Sequence, residues 1–324
     1  MHLFGWSHEL FSSISLATAL VFIGQLSHAG PLRDRIVANH FTQNSDDVDA
    51  DGESPRPVTL PTGVRLMRDV AYGTDDRQRM DVYLPQQPVG APVIFMVHGG
   101  AWRVGDKAAQ AVVENKVTRW VSKGFIFIST NYRMLPKTGP VEQAHDIVSA
   151  LATAQGKARS WGGDPSKFIL MGHSAGGHLV ALLAASPDLA LKAGAKRWLG
   201  AILLDSAALD VVEIMEAKHS RLFNQAFGGD AAYWRKASPF HVISETATPF
   251  LAVCSTHRND SCPQATRFVT KATSLNVRAS ILKQPVSHKE INQTLGLEGS
   301  YTDAVESFMG ALDESVAQRL LRRP

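Results

Sequence analysis

Gly172-His173-Ser174-Ala175-Gly176 sets one serine between two glycines, directly after the apolar run Phe168 to Met171 and before a small-residue segment running to Ala185. A serine hydroxyl attacks a carbonyl only when it is exposed and a base takes its proton. A G-x-S-x-G turn between strand and helix supplies the exposure: the serine occupies a sharp, strained corner, and the flanking positions have no room for side chains. The helix that follows aims its N-terminus at the developing negative charge. A second small-residue turn, His98-Gly99-Gly100-Ala101-Trp102, follows the apolar run Pro92 to Val97. Acyl transfer creates an oxyanion, and backbone amides held in place stabilise it. The expected donors are Gly100 or Ala101, in a loop shaped by Gly99, together with Ala175, the residue after the serine. His98 is expected to organise that loop without moving protons.

On such a turn the acid and then the histidine follow the serine in chain order. His178, His219, His241, His257 and His288 come after Ser174. His288 follows the last apolar run, Arg278 to Leu282, and is assigned as general base. His178 lies one turn into the serine helix and reads as structural. His219 and His241 fall in a possible cap, and His257 precedes the acid. Asp260, in the polar loop Ser255 to Asp260 after the run Phe250 to Val253, is assigned as the acid that orients the imidazole. Asp205 and Asp210, after the preceding run, are its alternatives.

These side chains need a scaffold. Met80 to Leu84 alternates in period two. Pro92 to Val97, Phe125 to Ser129, Phe168 to Met171, Trp198 to Leu204, Phe250 to Val253 and Arg278 to Leu282 are continuous apolar runs. Apolar positions at helical spacing mark helices over 112–121, ended by Gly124, and over 141–151. Further helices are expected over Pro263 to Ser274 and Ser300 to Arg319. Strands apolar on both faces, interleaved with helices, predict an α/β fold with a mostly parallel sheet covered on both sides. In such sheets ligands bind beyond the carboxyl ends of the strands, where both small-residue turns fall. Residues 206–249, with Phe223, Phe227, Tyr233, Trp234 and Phe240, form either a cap over the pocket or an ordinary helix packed on the sheet.

Together these residues resemble the α/β-hydrolase superfamily in its esterase/lipase branch. The likeness runs through His98 to Trp102, Asn131-Tyr132-Arg133, Trp161 to Pro165, Gly172 to Gly176, the Asp260 loop and His288. An H-G-G-x-W turn beside G-H-S-A-G-G looks most like arylformamidase-like and bacterial feruloyl-esterase-like enzymes. Ala101 stands where hormone-sensitive-lipase-like enzymes carry a third glycine, a departure that counts against bulky tertiary-alcohol esters. The resemblance implies acyl-enzyme hydrolysis of small or aromatic esters, with a small-molecule substrate and neither cofactor nor metal. An arylformamidase-type amidase and a non-catalytic binding protein on the same scaffold are the alternatives.

Composition frames these readings. The chain has 324 residues, 44% hydrophobic and 19% charged, with a net charge of +3. That is long enough for a large core and excludes collagenous, coiled-coil and wholly disordered classes. Its basic residues form no stripe, so no nucleic-acid partner is expected. Phe11 to Leu26 is too short for a membrane span and suits a signal-peptide core, with Ser27-His28-Ala29 as a cleavage pattern. The expected organisation is a leader over 1–29, a loose arm over 30–62, rich in acidic and turn-forming residues, and a catalytic domain over 63–324 without a membrane span. Export would let Cys254 and Cys262, the only cysteines, pair across a short loop; otherwise they remain two thiols.

Overall fold

The computed structural model describes residues 58–322. The expected leader, its cleavage site and residues 30–57 of the expected arm lie outside them. Eight strands form one sheet: β1 Arg65–Ala71, β2 Arg79–Leu84, β3 Ala91–Val97, β4 Ile126–Thr130, β5 Gly163–His173, β6 Gly200–Leu204, β7 Phe250–Ser255 and β8 Ala279–Gln284. Their order is β1-β2-β4-β3-β5-β6-β7-β8. β2 pairs antiparallel with both β1 and β4, and every other pairing is parallel.

The continuous apolar runs have a plain cause. In β3, Val93, Phe95 and Val97 face one core while Ile94 and Met96 face the other. Helices Pro140–Lys157 and Ala175–Ala185 cover the first face with Ile147, Leu151 and Leu179. Trp120, Val305, Met309 and Val316 cover the second. Successive strand side chains point to opposite faces, so a doubly covered strand must be apolar at every position.

After β3 the chain crosses to β4 on one side; after β5 it crosses to β6 on the other. The reversal falls between β3 and β5, where an open parallel sheet leaves a crevice at its carboxyl edge. Val97 pairs with Gly172 and His173 with Leu204, which brings the ends of β3, β5 and β6 to one level.

Three features depart from the sequence reading. β1 is not anticipated, because Arg65 to Ala71 is a largely exposed edge strand whose pattern breaks at a bulge between Met67 and Val70. The helix expected over 112–121 is α-helical from Gln110 to Lys116 and widens into a π-helical turn over Val117–Val121. The helix expected from Ser300 to Arg319 is two helices, Ser300–Gly310 and Glu314–Leu320. Asp313 divides them: its Oδ1 accepts the amides of Ser315 and Val316 at 2.9 and 3.2 Å. Four short helices, Val211–Glu216, Arg221–Phe227, Ala231–Lys236 and Pro239–Val242, fill 206–249. Among the described residues no helix is long and apolar enough to cross a membrane.

Replacing Asp313 by Ala leaves two amides of the last helix without their acceptor. Urea unfolding should show a loss of about 1 kcal/mol.

Candidate active site

Ser174 has φ 53° and ψ −119°, a conformation rare for a residue with a side chain. Its neighbours enforce it. A Cβ on Gly172 would stand 2.3 Å from the Gly176 carbonyl oxygen, and one on Gly176 would stand 2.3 Å from the Val97 oxygen. The Ser174 amide donates to Leu204 O at 2.9 Å, tying the corner to the end of β6.

The loop after β3 is strained in the same way. Gly100, Ala101 and Trp102 have φ of 98°, 54° and 59°. The Gly100 carbonyl accepts the amides of Arg103 and Val104, turning the loop back on itself. His98 Nδ1 donates to Gly99 O at 2.8 Å, and its ring stacks on Tyr132. One pocket gathers Ala101, Trp102, Ser174, Ala175, Arg258 and His288. The expected serine, histidine and two of the expected amide donors therefore share one space. Gly99 and Gly100 shape the turn behind it.

His288 opens the helix His288–Gln293, an element the sequence reading does not include. Its signal was present: Ser287 and Glu290 form a capping box, the side chain of each meeting the other's backbone. At its far end Lys116 Nζ donates to Asn292 O and Asn115 Nδ2 to Gln293 O, both at 2.6 Å, meeting carbonyls with no partner in the helix. His173 Nε2 donates to the His288 carbonyl at 3.1 Å, and the two rings pack 4.5 Å apart. His173 thus points away from the pocket side of Ser174 and braces the base, a role its neighbouring position in sequence does not announce.

The acid position requires a correction. His288 Nδ1 donates to Asp205 Oδ2 at 2.5 Å, so the carboxylate beside the imidazole is Asp205 and not Asp260. Asp205 immediately follows β6, the strand next to the serine strand, and is fully buried. Its Oδ1 accepts the Ser255 amide at 2.6 Å and the Ser261 hydroxyl at 2.5 Å. Asp260 lies beyond the end of β7 with half its side chain exposed, and its carboxylate is held by Arg258 Nε and Nη2 at 3.0 and 3.1 Å. Arg258 Nη1 stands 3.3 Å from Asp205 Oδ2 and 2.7 Å from His288 Nδ1. With Nδ1 donating to Asp205, the guanidinium can share only the carboxylate. Asp260 therefore reaches the site through Arg258. Asp210, the other alternative, caps Val211–Glu216 by accepting the Glu213 amide. The local clue was position: Asp205, like Ser174, follows its apolar strand with no polar loop between.

Cys254 and Cys262 are joined by a disulfide, with Cα atoms 5.1 Å apart. The loop it closes carries Ser255, Arg258 and Ser261, all three in contact with Asp205. Burial alone would push the Asp205 carboxyl up; the hydrogen bond and charge of His288, the Arg258 guanidinium and the Ser261 hydroxyl outweigh it and hold the carboxyl well below its ordinary value. His178 is the opposite case: complete burial pushes its imidazole down to about 4, so it is neutral at neutral pH. Among the described residues no three His, Cys, Asp or Glu side chains are grouped to hold a metal ion.

The profile of the BD-FAE family matches residues 80–266, more than half of the chain, from β2 through both elbow turns to the disulfide loop. The chain belongs to the BD-FAE family. This BD-FAE protein is 30% identical over 264 residues to the probable carboxylic ester hydrolase LipM of Mycobacterium tuberculosis, covering 74% of the chain and 58% of LipM. It is 36% identical over 121 residues to the probable isoprenylcysteine alpha-carbonyl methylesterase ICME of Oryza sativa subsp. japonica, covering 36% of the chain and 28% of that protein. The match thus spans less than two thirds of either relative. Esterase B of Lactobacillus rhamnosis superposes with a TM-score of 0.68 at 19% identity, covering 89% of this chain and 96% of that one. This likeness bears on the fold, which is the α/β-hydrolase fold expected from the sequence.

Because the Asp205 carboxyl is lowered on folding, its stabilising effect is complete above the ordinary carboxylate value of about 3.9 and is lost as pH falls below it. The difference in unfolding free energy between the wild type and Asp205→Asn should therefore shrink steadily on acidification below about pH 4. Urea titrations across pH 2.5–7 check this, and a pH-independent difference would contradict it.

Proposed function

We propose that this protein is a serine carboxylic ester hydrolase working through an acyl-enzyme. One observation carries the reading: Ser174, on its strained corner, shares a pocket with His288, whose far nitrogen is bonded to the buried Asp205. His288 takes the Ser174 proton as the hydroxyl adds to the ester carbonyl. The amides of Ala101 and Ala175 receive the oxyanion. The protonated imidazole, stabilised by Asp205, passes its proton to the departing alcohol. Water then attacks the acyl-enzyme by the same route, with His288 again as base, releasing the acid and free serine. The names of LipM, and of the esterase LipC at 26% identity over 64% of the chain, support this class.

The pocket walls support a small or flat acyl group. Ala207 and Ala208 line it from the turn after β6, and Leu222 and Phe223 reach in from Arg221–Phe227, with the Phe223 ring 6.2 Å from that of Trp102. The cavity volume is about 40 Å3, well below the range of typical ligand pockets. Residues 206–249 thus act as a wall that sets acyl size. We also infer export: disulfides such as the one beside the active site form and persist chiefly in oxidising compartments, in agreement with the leader-like segment before residue 30.

On p-nitrophenyl acetate, Ser174→Ala should lose kcat by about 10^4-fold or more. Asp205→Asn should lose on the order of 10^3- to 10^4-fold. Asp260→Asn, which removes an exposed ion pair, should lose less than about tenfold. Along a ladder from acetate to decanoate, kcat/KM should peak at short chains. Equal losses for the two aspartates would overturn the acid assignment, and flat activity along the ladder would overturn the acyl-size reading.

When the full sequence is expressed in a bacterium, the protein should leave the cytoplasm as a chain beginning near Gly30. Intact-mass measurement of fractionated cells decides this, and an unprocessed cytoplasmic product would refute export.

A further inference from the structure

We propose that His178 is a positioning residue that holds the Trp102 indole, and through it the strained turn Ala101–Trp102, in register with Ser174. This rests on the reading of that turn as the oxyanion loop.

Trp102 Nε1 donates to His178 Nδ1 at 3.1 Å, and His178 Nε2 lies 2.7 Å from Ala237 O. The two contacts define the ring's state. An indole nitrogen can only donate and a carbonyl can only accept, so Nδ1 is bare and Nε2 carries the proton. A second proton on Nδ1 would face the indole N–H. Complete burial prevents this by keeping the imidazole neutral.

The ring joins three parts of the site. Its own amide donates to Ser174 O at 3.0 Å, on the first turn of the serine helix. Its Nδ1 holds the loop after β3. Its Nε2 holds Ala237, in the segment that supplies Leu222 and Phe223 to the pocket.

Ala101 and Trp102 both have positive φ, a conformation that persists in residues with side chains only where the surroundings fix it. Several fixing contacts meet at Trp102. Its carbonyl accepts the Leu135 amide at 3.0 Å and Gln143 Nε2 at 2.9 Å. Its ring packs edge-on to Phe227 at 5.1 Å and to His178 at 5.4 Å. Among the described residues, the indole nitrogen bonds to His178 alone. Without it the ring can tilt in its slot, and the amide of Ala101, one residue away, moves with it.

The test compares His178→Leu, which removes the acceptor, with His178→Asn, whose amide oxygen can occupy the Nδ1 position. Trp102→Phe removes the same hydrogen bond from the other side. Three readouts are taken: kcat and KM on p-nitrophenyl acetate, inhibition by phenylboronic acid, which forms a tetrahedral adduct with serine, and amide hydrogen exchange over residues 99–105.

For His178→Leu, kcat should fall about 10- to 100-fold while KM stays within about threefold. Boronate affinity should fall in proportion to kcat, and loop exchange should quicken. His178→Asn should recover most of kcat. The double variant with Trp102→Phe should be no worse than His178→Leu alone, because both remove one interaction. If His178→Leu does not fold, Trp102→Phe carries the same expectations. A folded His178→Leu or Trp102→Phe with wild-type kcat and wild-type exchange overturns the proposal, as do additive losses in the double variant. If the wild type turns over no ester, the hydrolase reading fails instead, and exchange over 99–105 still decides whether His178 holds the loop.

Discussion

A carboxylate at 0% exposure costs several kcal/mol unless its oxygens are bonded, and Asp205 meets that condition only by drawing in distant chain. One oxygen takes the imidazole of His288, 83 residues away in sequence. The other takes the Ser255 amide and the Ser261 hydroxyl, from a loop whose ends are tied by Cys254 and Cys262. Arg258, from the same loop, adds a positive charge. Remove the carboxylate and the loop after β7 and His288 lose their common partner. The same bonds that repay burial orient the imidazole toward the pocket, so folding and the proposed chemistry draw on one interaction.

Backbone strain gathers at the same edge. Ala101, Trp102, Ser174 and Asp205 all carry φ between 52° and 59°, and all follow immediately or closely on β3, β5 or β6. Such conformations persist when a stiff scaffold leaves no alternative. Here the scaffold is a sheet packed on both faces, whose strand ends are held at one level by the pairings of Val97 with Gly172 and His173 with Leu204. Glycine is used where backbone approaches backbone, at Gly172 and Gly176. Ser174, Asp205 and Trp102 stand where a hydroxyl, a carboxylate and a ring must project.

The family match spans both elbow turns and ends within the helix after the disulfide loop, so it covers the serine, the amide donors and Asp205 but stops short of His288. The base arrives through the last strand and a helix fastened by Lys116, Asn115 and His173. A different stretch, 206–249, adds Leu222 and Phe223 to the pocket, with the Phe223 ring 6.2 Å from that of Trp102. The proposed catalytic residues and the side chains Leu222 and Phe223 thus come from different stretches of one chain.

How much of this was legible in the residues follows from the range over which each signal acts. The interior strands announce themselves because a strand buried on both faces is apolar throughout, and Ser174 with the turn at His98 can be recognised from glycines whose neighbours lie within five positions. β1, exposed and bulged, carries no such pattern, and Asp313 divides the last helix through a cap that the apolar spacing does not reveal. The partner of His288 was not decided locally: Asp205 follows its strand directly and Asp260 follows through a polar loop, but both lie beyond strand ends and either could reach an imidazole. Only strand order, placing β6 directly beside the serine strand, brings one carboxylate under the imidazole and leaves the other to hold an arginine at the rim. Local sequence selects which residues can do chemistry, whereas the choice between two identical carboxylates depends on distances across the sheet, which exist only once the chain has folded.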